Sequence, residues 1–374
     1  MFDKEKNRVK LWFLKNIILP NNEVMDKPGY VISKYVGAKT LCYIREVFFP
    51  ELIIANIEKN AVEKFGKKGK EALYEAGKFW GMRYAASTLN QKKSNMSEKD
   101  FLDFADIFMQ LIESEYSTKT TYKIDYSKNW FEAKYENLMI CRLNGLGYFL
   151  PATMSGAWQH IVGVQTEATH PSCQGRGDSI CTIQCAPVKN LKGNEIFKIK
   201  TPTDLGLEKE YFSLNKVKKA QYAQNSFRDL LQAGIFKYDG GFFQYKNERY
   251  LLNEASFVYF LELAFAKLKG GNELLFNSAF GYFKDFGIKQ GASAKLISDF
   301  LPALGWGDVF FDSANQKVIC ASYPWTKYYK DTTFPIFRGM LSGLVSSFAG
   351  KEVKFNKAKT AISGDSLDLV LQVG

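Results

Sequence analysis

The chain of 374 residues is long enough for two domains of ordinary size, each with its own hydrophobic core. Hydrophobic residues make up 46% of it and charged residues 24%, as in soluble globular proteins. The net charge is +11, but no nucleic-acid-binding motif accompanies the basic patches at 64–70 and 216–219. We therefore expect no specific nucleic-acid partner.

The N-terminal segment does not have the pattern of a secretory signal. Its apolar stretch, Leu11 to Leu19, is broken by Lys15 and Asn16 and ends at Pro20. No uninterrupted apolar run of about 18 residues occurs, which argues against a membrane span. Six cysteines in a chain of this length do not resemble a secreted disulfide scaffold. We therefore expect a cytoplasmic location, where clustered thiols indicate a metal before a disulfide.

Strand and helix patterns alternate through the first part of the chain. An opening strand is predicted at 29–32. A helix is predicted to begin near Ser97, with Asp100 as its capping-box partner. Its apolar face carries Phe101, Phe104, Phe108 and Leu111.

Aromatic residues make up 15% of the chain. Such an excess is typical of a core filled with rings, but it also suits a pocket that stacks rings against an apolar or planar ligand. We predict an apolar pocket in the first half lined by Trp80, Tyr84 and Trp158. His160 is either a ligand donor in that pocket or a core histidine with one hydrogen bond.

Soft metal ligands cluster between two predicted strands. His170 and Cys173 follow a strand pattern at 164–169, and Cys181 lies in a second strand pattern at 179–185. A hairpin would bring these three side chains to one end of the paired strands, where they could bind Zn²⁺. The alternative is a set of buried thiols beside a hydrogen-bonded histidine.

The fourth ligand is less well defined. Cys185 would lie about 13 Å from Cys181 on a regular strand, too far to share an ion. Cys141 is the preferred candidate, on a strand predicted just before a short helix; Glu167 or a water molecule are others.

The sequence contains an internal repetition. Several residues recur at one constant spacing without a gap: Ser155, Gly156, Gly163, Gly177, Asp178 and Ser179 match Ser342, Gly343, Gly350, Gly364, Asp365 and Ser366. Weaker matches upstream pair residues 139–141 with 318–320, both expected as buried strand, and 72–74 with 274–276. We infer a tandem duplication.

The duplication predicts an α+β fold with two copies of a domain, each an antiparallel sheet packed against helices. Residues 1–187 form the first copy, 188–204 a linker, and 205–374 a second copy that opens with a strand at 241–245. Ser155 and Ser342 are predicted as N-caps of a short helix, and the glycine after each suits close backbone packing. A helix is predicted over about 205–234.

The second copy lacks the soft ligands, because the matching positions are Lys357, Thr360 and Asp368. No nucleophile–base set, phosphate-binding glycine loop or dinucleotide fingerprint is present in either copy, so the sequence leaves open whether the protein is an enzyme.

The first-copy pattern resembles a 4-vinyl-reductase-type domain. The resemblance rests on His170-x-x-Cys173, the turn Gly177-Asp178, and Cys181 eight residues after the first cysteine. It covers about 29–186 and, as a cysteine-less copy, about 205 to the end. Metal-containing relatives that sense phenols carry a further cysteine before the short helix; the corresponding residues here, 145–150, include none. Where the family is usually acidic, this chain has His170.

The resemblance implies an α+β fold that binds small hydrophobic or aromatic molecules and commonly dimerises. It favours a ligand-binding sensor or carrier with a structural zinc, which would pass its signal to a separate downstream protein. The alternatives are an enzyme or accessory factor of tetrapyrrole or aromatic metabolism, and a tethering or scaffold protein. A haem sensor with His160 or His170 as axial ligand is disfavoured. The two copies are expected to pair within one chain as a pseudo-dimer.

Overall fold

The structure, a computed structural model, describes residues 27–36, 41–88, 92–193, 195–201, 217–239, 242–324, 332–363 and 366–373. Its helices are α1 Glu51–Phe65, α2 Lys67–Thr88, α3 Glu98–Tyr116, α4 Cys141–Asn144, α5 Phe149–Val162, α6 Phe227–Gln232, α7 Ser256–Ala266, α8 Gly271–Gln290, α9 Ala294–Ala303 and α10 Pro335–Phe348. Its strands are β1 Val31–Val36, β2 Leu41–Pro50, β3 Lys119–Asp125, β4 Trp130–Glu136, β5 Glu167–Ser172, β6 Cys181–Ala186, β7 Phe236–Asp239, β8 Phe242–Tyr245, β9 Glu248–Glu254, β10 Asp308–Asp312, β11 Lys317–Tyr323, β12 Phe355–Ser363 and β13 Ser366–Val373. The sheets are antiparallel and pack against helices, so the predicted α+β class is confirmed.

Two four-stranded sheets have the same strand order. One is β3-β4-β6-β5 and the other is β10-β11-β13-β12. In each sheet a hairpin is followed by a long helix, α5 or α10, and then by a second hairpin whose last strand pairs with the first hairpin. Among the described residues, helices α1 to α3 come directly before the first of these sheets, and α7 to α9 come directly before the second.

A third sheet joins the two parts of the chain. Its order is β1-β2-β9-β8-β7, and β2 pairs antiparallel with β9 from Glu46 opposite Glu254 to Pro50 opposite Tyr250. We call the described residues up to 187 the first half and those from 217 the second half. Buried apolar side chains of both halves form one continuous cluster. None of the described helices combines the length and apolarity needed to cross a membrane.

Ser155 and Ser342 are not helix N-caps, which corrects the sequence prediction. Both lie within a long helix, α5 or α10, and tie it to the strand that follows. The Ser155 hydroxyl donates to the Thr166 carbonyl at 2.9 Å, while Phe355 N–H donates to the Ser342 hydroxyl at 3.0 Å. A buried serine in a helix interior therefore has its hydroxyl satisfied across the gap to the next strand.

The helices α5 and α10 are capped from a distance. Phe149 N–H donates to a carboxylate oxygen of Glu58 on α1 at 2.8 Å, and Ile336 N–H donates to Glu262 on α7 at 3.3 Å. Unpaired N–H groups at a helix start need acceptors and favour negative charge. Because the acceptor comes from another helix, the residues before α5 and α10 carry no local cap signal.

The prediction of a helix over about 205–234 is wrong for most of the residues that the structure describes, which begin at 217. Only Phe227–Gln232 is helical, starting at a capping box formed by Ser226 and Asp229. Immediately upstream, the backbone N–H groups of residues 221–223 donate to the Asp308 carboxylate at 2.6–3.2 Å. Those donors hold the segment in a turn around Asp308.

The N-cap predicted for α3 is confirmed, because the Ser97 side chain accepts from Asp100 N–H.

The predicted close packing of α5 and α10 through glycines is confirmed. A Cβ atom on Gly156 would lie 2.0 Å from the Lys78 carbonyl oxygen of α2, and one on Gly343 would lie 2.4 Å from the Phe280 carbonyl oxygen of α8. No side chain fits at these contacts, so glycine sets the distance between the helices.

The same contact gives a testable prediction on α2. A Cβ atom on Gly81 would lie 2.0 Å from the Thr153 carbonyl oxygen, so Gly81→Ala should lower the free energy of unfolding by about 1–3 kcal/mol. Gly281 in α8 is the matched control, since nothing lies within 4 Å of a Cβ atom there. Gly281→Ala should raise stability by about 0.5–1 kcal/mol. Urea unfolding measures both, and equal effects at the two positions would contradict the proposed contact.

Two carboxyl groups, Glu115 of α3 and Glu46 of β2, lie close together near the β2–β9 pairing that joins the halves. Burial raises the pKa of Glu115 from 4.5 to about 8, and the nearby Glu46 carboxylate adds to the shift. Between those two pH values the folded state binds more protons than the unfolded state, so stability should fall as pH rises through this window. We expect Glu115→Gln to flatten that fall, whereas Glu63→Gln, at an exposed side chain, should leave it unchanged. Urea unfolding at a series of pH values checks this, and parallel curves for wild type and Glu115→Gln would contradict it.

Candidate metal site and adjoining cavity

Three side chains that could bind one metal ion converge at the tip of the β5–β6 hairpin. His170 lies on β5, Cys173 follows that strand, and Cys181 begins β6. One ligand atom of each lies within 4.8 Å of the other two. Within the described part of the chain, no other group of three or more His, Cys, Asp or Glu side chains is placed this way. Their predicted convergence is confirmed, and they could hold a metal.

The turn between the strands is fixed by short hydrogen bonds. The Asp178 carboxylate accepts from Cys173 N–H at 2.7 Å, and Asp178 N–H donates to the Cys173 carbonyl at 3.2 Å. Gly177 adopts φ 93°, a left-handed conformation that favours glycine. Gln174 N–H donates to the Cys181 sulfur at 3.3 Å. The Gly-Asp turn therefore aims both sulfur atoms at one point.

The donor set suits a tetrahedral soft metal ion. Both ring nitrogens of His170 are buried, and neither has a hydrogen-bond partner among the described residues. The Cys173 and Cys181 sulfur atoms are 4.0 Å apart, too far for a disulfide. Ligand atoms of a tetrahedral zinc site are separated by about 3.3–3.8 Å when each bond is 2.0–2.3 Å long. A small closure of the three side chains would therefore complete three corners of such a site.

The Cys173 thiol is biased towards its thiolate form. A hydrogen bond from the Cys181 thiol lowers the pKa of Cys173, burial opposes this, and the adjacent His170 lowers the pKa further. The same hydrogen bond raises the pKa of Cys181. Since thiolates bind metals, an ion entering here would displace the shared thiol proton.

Cys141 lies next to the cluster, but on a helix and not on the predicted strand, and its sulfur is not among the ligand atoms that lie within 4.8 Å of one another. It begins α4, and its sulfur borders the space next to His170. A Cβ atom on Gly147 would lie 3.2 Å from the Cys141 sulfur and 2.3 Å from His170 Nδ1. That glycine lies in the segment where the resemblance leads one to expect a cysteine. A cysteine at position 147 would point towards His170 and the Cys141 sulfur. Cys141 therefore lies on the same side of the cluster as the cysteine that the resemblance leads one to expect.

Two carboxylates on α1 position the segment that carries Cys141. Glu51 accepts from Ile140 N–H at 2.7 Å and pairs with Arg142 at 2.8 Å. It thereby supports Ile140 at φ 67°, a costly conformation for a β-branched residue. Glu58 accepts from Asn144 Nδ2 at 2.8 Å. Sequence reasoning missed this pair, although two glutamates seven residues apart on one helix face were a usable signal.

Glu167 and Cys185 are engaged elsewhere. Lys78 Nζ lies 2.6 Å from Glu167, and both side chains are fully buried. The Tyr74 hydroxyl donates to the same carboxylate at 3.1 Å. Glu167 is therefore not available as the fourth ligand, which corrects that alternative. Cys185 neighbours this pair, and it lies outside the metal-ligand group, as the strand spacing predicted.

A cavity of about 380 Å³ adjoins the cluster, and His170 forms part of its wall. The rings of Tyr74, Tyr148 and Phe197 line it; Phe197 lies 4.9 Å from Tyr74 and 5.9 Å from Tyr148 between ring centroids. Its volume lies in the range of about 300–1,000 Å³ typical of small-molecule sites. One wall comes from the segment after β6, which sequence reasoning assigned only to the linker.

The predicted pocket residues lie away from this cavity. Trp80 stacks on Phe149 with ring centroids 5.8 Å apart and also contacts Tyr84. Trp158 is fully buried, and its Nε1 donates to the Asn129 carbonyl at 2.8 Å. His160 is partly exposed near the end of α5. These rings pack within the core and line neither cavity described in this protein, and the pocket around them stays a prediction.

The second half offers no comparable cluster among its described residues. Thr360 is exposed on β12, and the Asp368 carboxylate accepts from Ser322 N–H at 2.9 Å. The Lys357 side chain, Gly364 and Asp365 lie outside what the structure describes, and so does the Leu111 side chain of α3.

Comparisons with known proteins identify no family. No protein-family model matches the chain, and no curated protein matches it. One similar solved structure is the phenol-responsive sensory domain of the transcription activator PoxR with phenol. It is 16% identical in sequence, covers 40% of this chain and 79% of its own, and has a TM-score of 0.32.

Proposed function

We propose that this protein binds a small aromatic molecule in the cavity beside a structural zinc site and acts as a sensor or carrier. The observation that carries the proposal is the position of His170. Its two buried ring nitrogens have no hydrogen-bond partner among the described residues, it lies within reach of Cys173 and Cys181, and it also borders the aromatic cavity. A metal holding His170 would fix that wall of the cavity.

Zinc is the proposed metal because the donors are one imidazole and two thiols. His170, Cys173 and Cys181 would hold it, with Cys141 as the fourth ligand. Its role would be to close the hairpin and orient the cavity wall. The cavity itself supplies aromatic surfaces for a planar ligand, and Thr169 and Arg176 offer polar groups at its edge.

The test combines metal analysis with mass spectrometry of small molecules retained by the native protein, followed by titration with phenol and indole as probes. Leu146→Trp should narrow the cavity and abolish probe binding while zinc is retained. Leu102→Trp, at an exposed position on α3, is the control and should bind normally. Unchanged binding by Leu146→Trp would refute the cavity assignment. A turnover product would instead favour an enzyme, and a protein that retains nothing would favour a scaffold.

We also propose that the chain is a tandem duplication whose copies pair within one molecule, with the boundaries 1–187 and 205–374 expected from the sequence. Three features support this: the common strand order of the two four-stranded sheets, the helix caps from Glu58 and Glu262, and the shared β2–β9 pairing. Light scattering should give a compact particle near 42.6 kDa. A concentration-dependent dimer would count against the intrachain pair.

A further inference from the structure

A second cavity, separate from the aromatic cavity, lies where the two halves meet. It has a volume of about 760 Å³ and is bordered by α1, α4, α8 and the β8–β9 hairpin. Its wall contains Leu52 and Asn56 from the first half and Tyr282 and Lys289 from the second. It shares no lining residue with the aromatic cavity beside the metal site, so a ligand bound here is independent of the proposed function.

The gap between α1 and α8 is local, because other helices of the two halves pack closely against each other. Helices also cross between the halves at α2 and α7, and there rings close the gap. Phe79 lies 6.4 Å from Phe260, and Trp80 lies 5.9 Å from Phe257. Between α1 and α8 the contact is polar instead, with Asn60 Nδ2 donating to the Ser278 hydroxyl at 3.1 Å.

Two guanidinium groups border one end of the cleft. Arg142 and Arg249 both line it, and Arg142 forms an ion pair with Glu51 at 2.8 Å. Arg249 donates to the Asn137 carbonyl at 3.2 Å and stacks over a phenylalanine ring. Within the described parts of the chain no carboxylate forms an ion pair with Arg249. A guanidinium beside another guanidinium is a ready site for an anionic group such as a carboxylate.

A hydrogen-bond acceptor without a partner also borders the cleft. One oxygen of Glu248 accepts from the Tyr282 hydroxyl at 2.5 Å, while the other, Oε1, is buried without a partner among the described residues. A buried carboxylate oxygen without a donor is costly, so this atom calls for a donor from a bound molecule. Two leucines, Leu52 and Leu143, add apolar surface and are 40% and 42% exposed.

We propose that the cleft binds a small zwitterion of the amino-acid or dipeptide type. Its carboxylate would pair with Arg249 and Arg142, its ammonium group would donate to Glu248 Oε1, and an apolar side chain would cover Leu52 and Leu143. Glu248 and Arg249 leave β9 on opposite faces of the strand, and both border the cleft, so the ligand must be long enough to span the distance between them.

The proposal can be tested with leucyl-leucine as the probe and isothermal titration calorimetry as the readout. We expect saturable binding with a Kd below about 1 mM, the weak end of specific small-molecule affinity. N-acetyl-leucyl-leucine lacks the ammonium group, and leucyl-leucinamide lacks the carboxylate. Each should bind the wild-type protein at least about tenfold more weakly than leucyl-leucine, as expected for one lost hydrogen bond to a charged group.

Variants then assign each end of the probe. Glu248→Gln should make leucyl-leucine and its N-acetyl form bind alike, while Arg249→Gln should do the same for leucyl-leucine and its amide. Gly281→Leu fills open space on the cleft wall and should abolish binding, with Gly281→Ala as the control that still binds. No saturable binding of leucyl-leucine to the wild-type protein, or binding that survives Gly281→Leu, would overturn the proposal.

Discussion

Replacing Cys173 with serine should empty the metal site and lower the free energy of unfolding by about 4 kcal/mol. That figure is the stabilisation from a ligand present at about a thousand times its Kd. Cys173 lies within 4.8 Å of both other ligands and is the thiol whose pKa is lowered. A hydroxyl at this position is a poor ligand for a soft metal, so the hairpin would lose the ion that closes it.

Two measurements check this expectation. Metal analysis should show about one zinc per chain in the wild-type protein and almost none in Cys173→Ser, and urea unfolding should show the loss of stability. Cys185→Ser is the matched control, because Cys185 is also a buried thiol of β6 but lies outside the ligand group. Full zinc occupancy in Cys173→Ser would refute the assigned ligands.

Lys78→Met should destabilise the protein by about 3–5 kcal/mol, the usual cost of removing one partner of a buried ion pair. Lys78 and Glu167 have no exposed side-chain surface, and their charged atoms are 2.6 Å apart. Burial lowers the pKa of Lys78, while the Glu167 carboxylate opposes that shift. Without the ammonium group, Glu167 would keep hydrogen bonds from Tyr74 and Gln165 but no compensating charge.

The effect should also reach the aromatic cavity. Lys78 Nζ donates to the Ile199 carbonyl at 3.1 Å and so holds the segment that places Phe197 in the cavity wall. Phenol binding should therefore weaken together with stability in urea unfolding. The double variant Lys78→Met with Glu167→Leu should recover most of the lost stability, because it removes both charges. A loss below about 1 kcal/mol in Lys78→Met alone would contradict the importance of the pair, since it would match an exposed ion pair.

Prediction from the sequence succeeded for structural features that neighbouring residues determine. The Gly177-Asp178 turn, the Ser97 cap and the convergence of His170 with its cysteines all depend on residues close together in the chain. The errors arose where a distant residue decides the outcome. Glu58 caps α5 from another helix, whereas the sequence pattern predicts Ser155 as the cap. Glu51 holds Ile140 at a positive φ, and the backbone there turns into α4 where the sequence predicts a strand.

The aromatic cavity shows the same limitation. Its rings come from α2, from the start of α5 and from the segment after β6, and no sequence pattern links those three regions. The excess of aromatic residues indicated a pocket somewhere, but rings that fill a core and rings that line a cavity have the same composition. The sequence predicts that Trp80 and Trp158 line a pocket, and the structure shows both rings packed against other core residues.

The pairing of β2 with β9 has a consequence for synthesis on the ribosome. When β2 has emerged, its partner is still roughly 200 residues away, which corresponds to about 10–40 s of translation at 5–20 residues per second. During that time the outer edge of β2 presents unpaired backbone groups, including those around Val47, Phe48 and Phe49. Such an edge pairs readily with other chains. We therefore expect nascent chains of this protein to need a chaperone until residue 254 has been made.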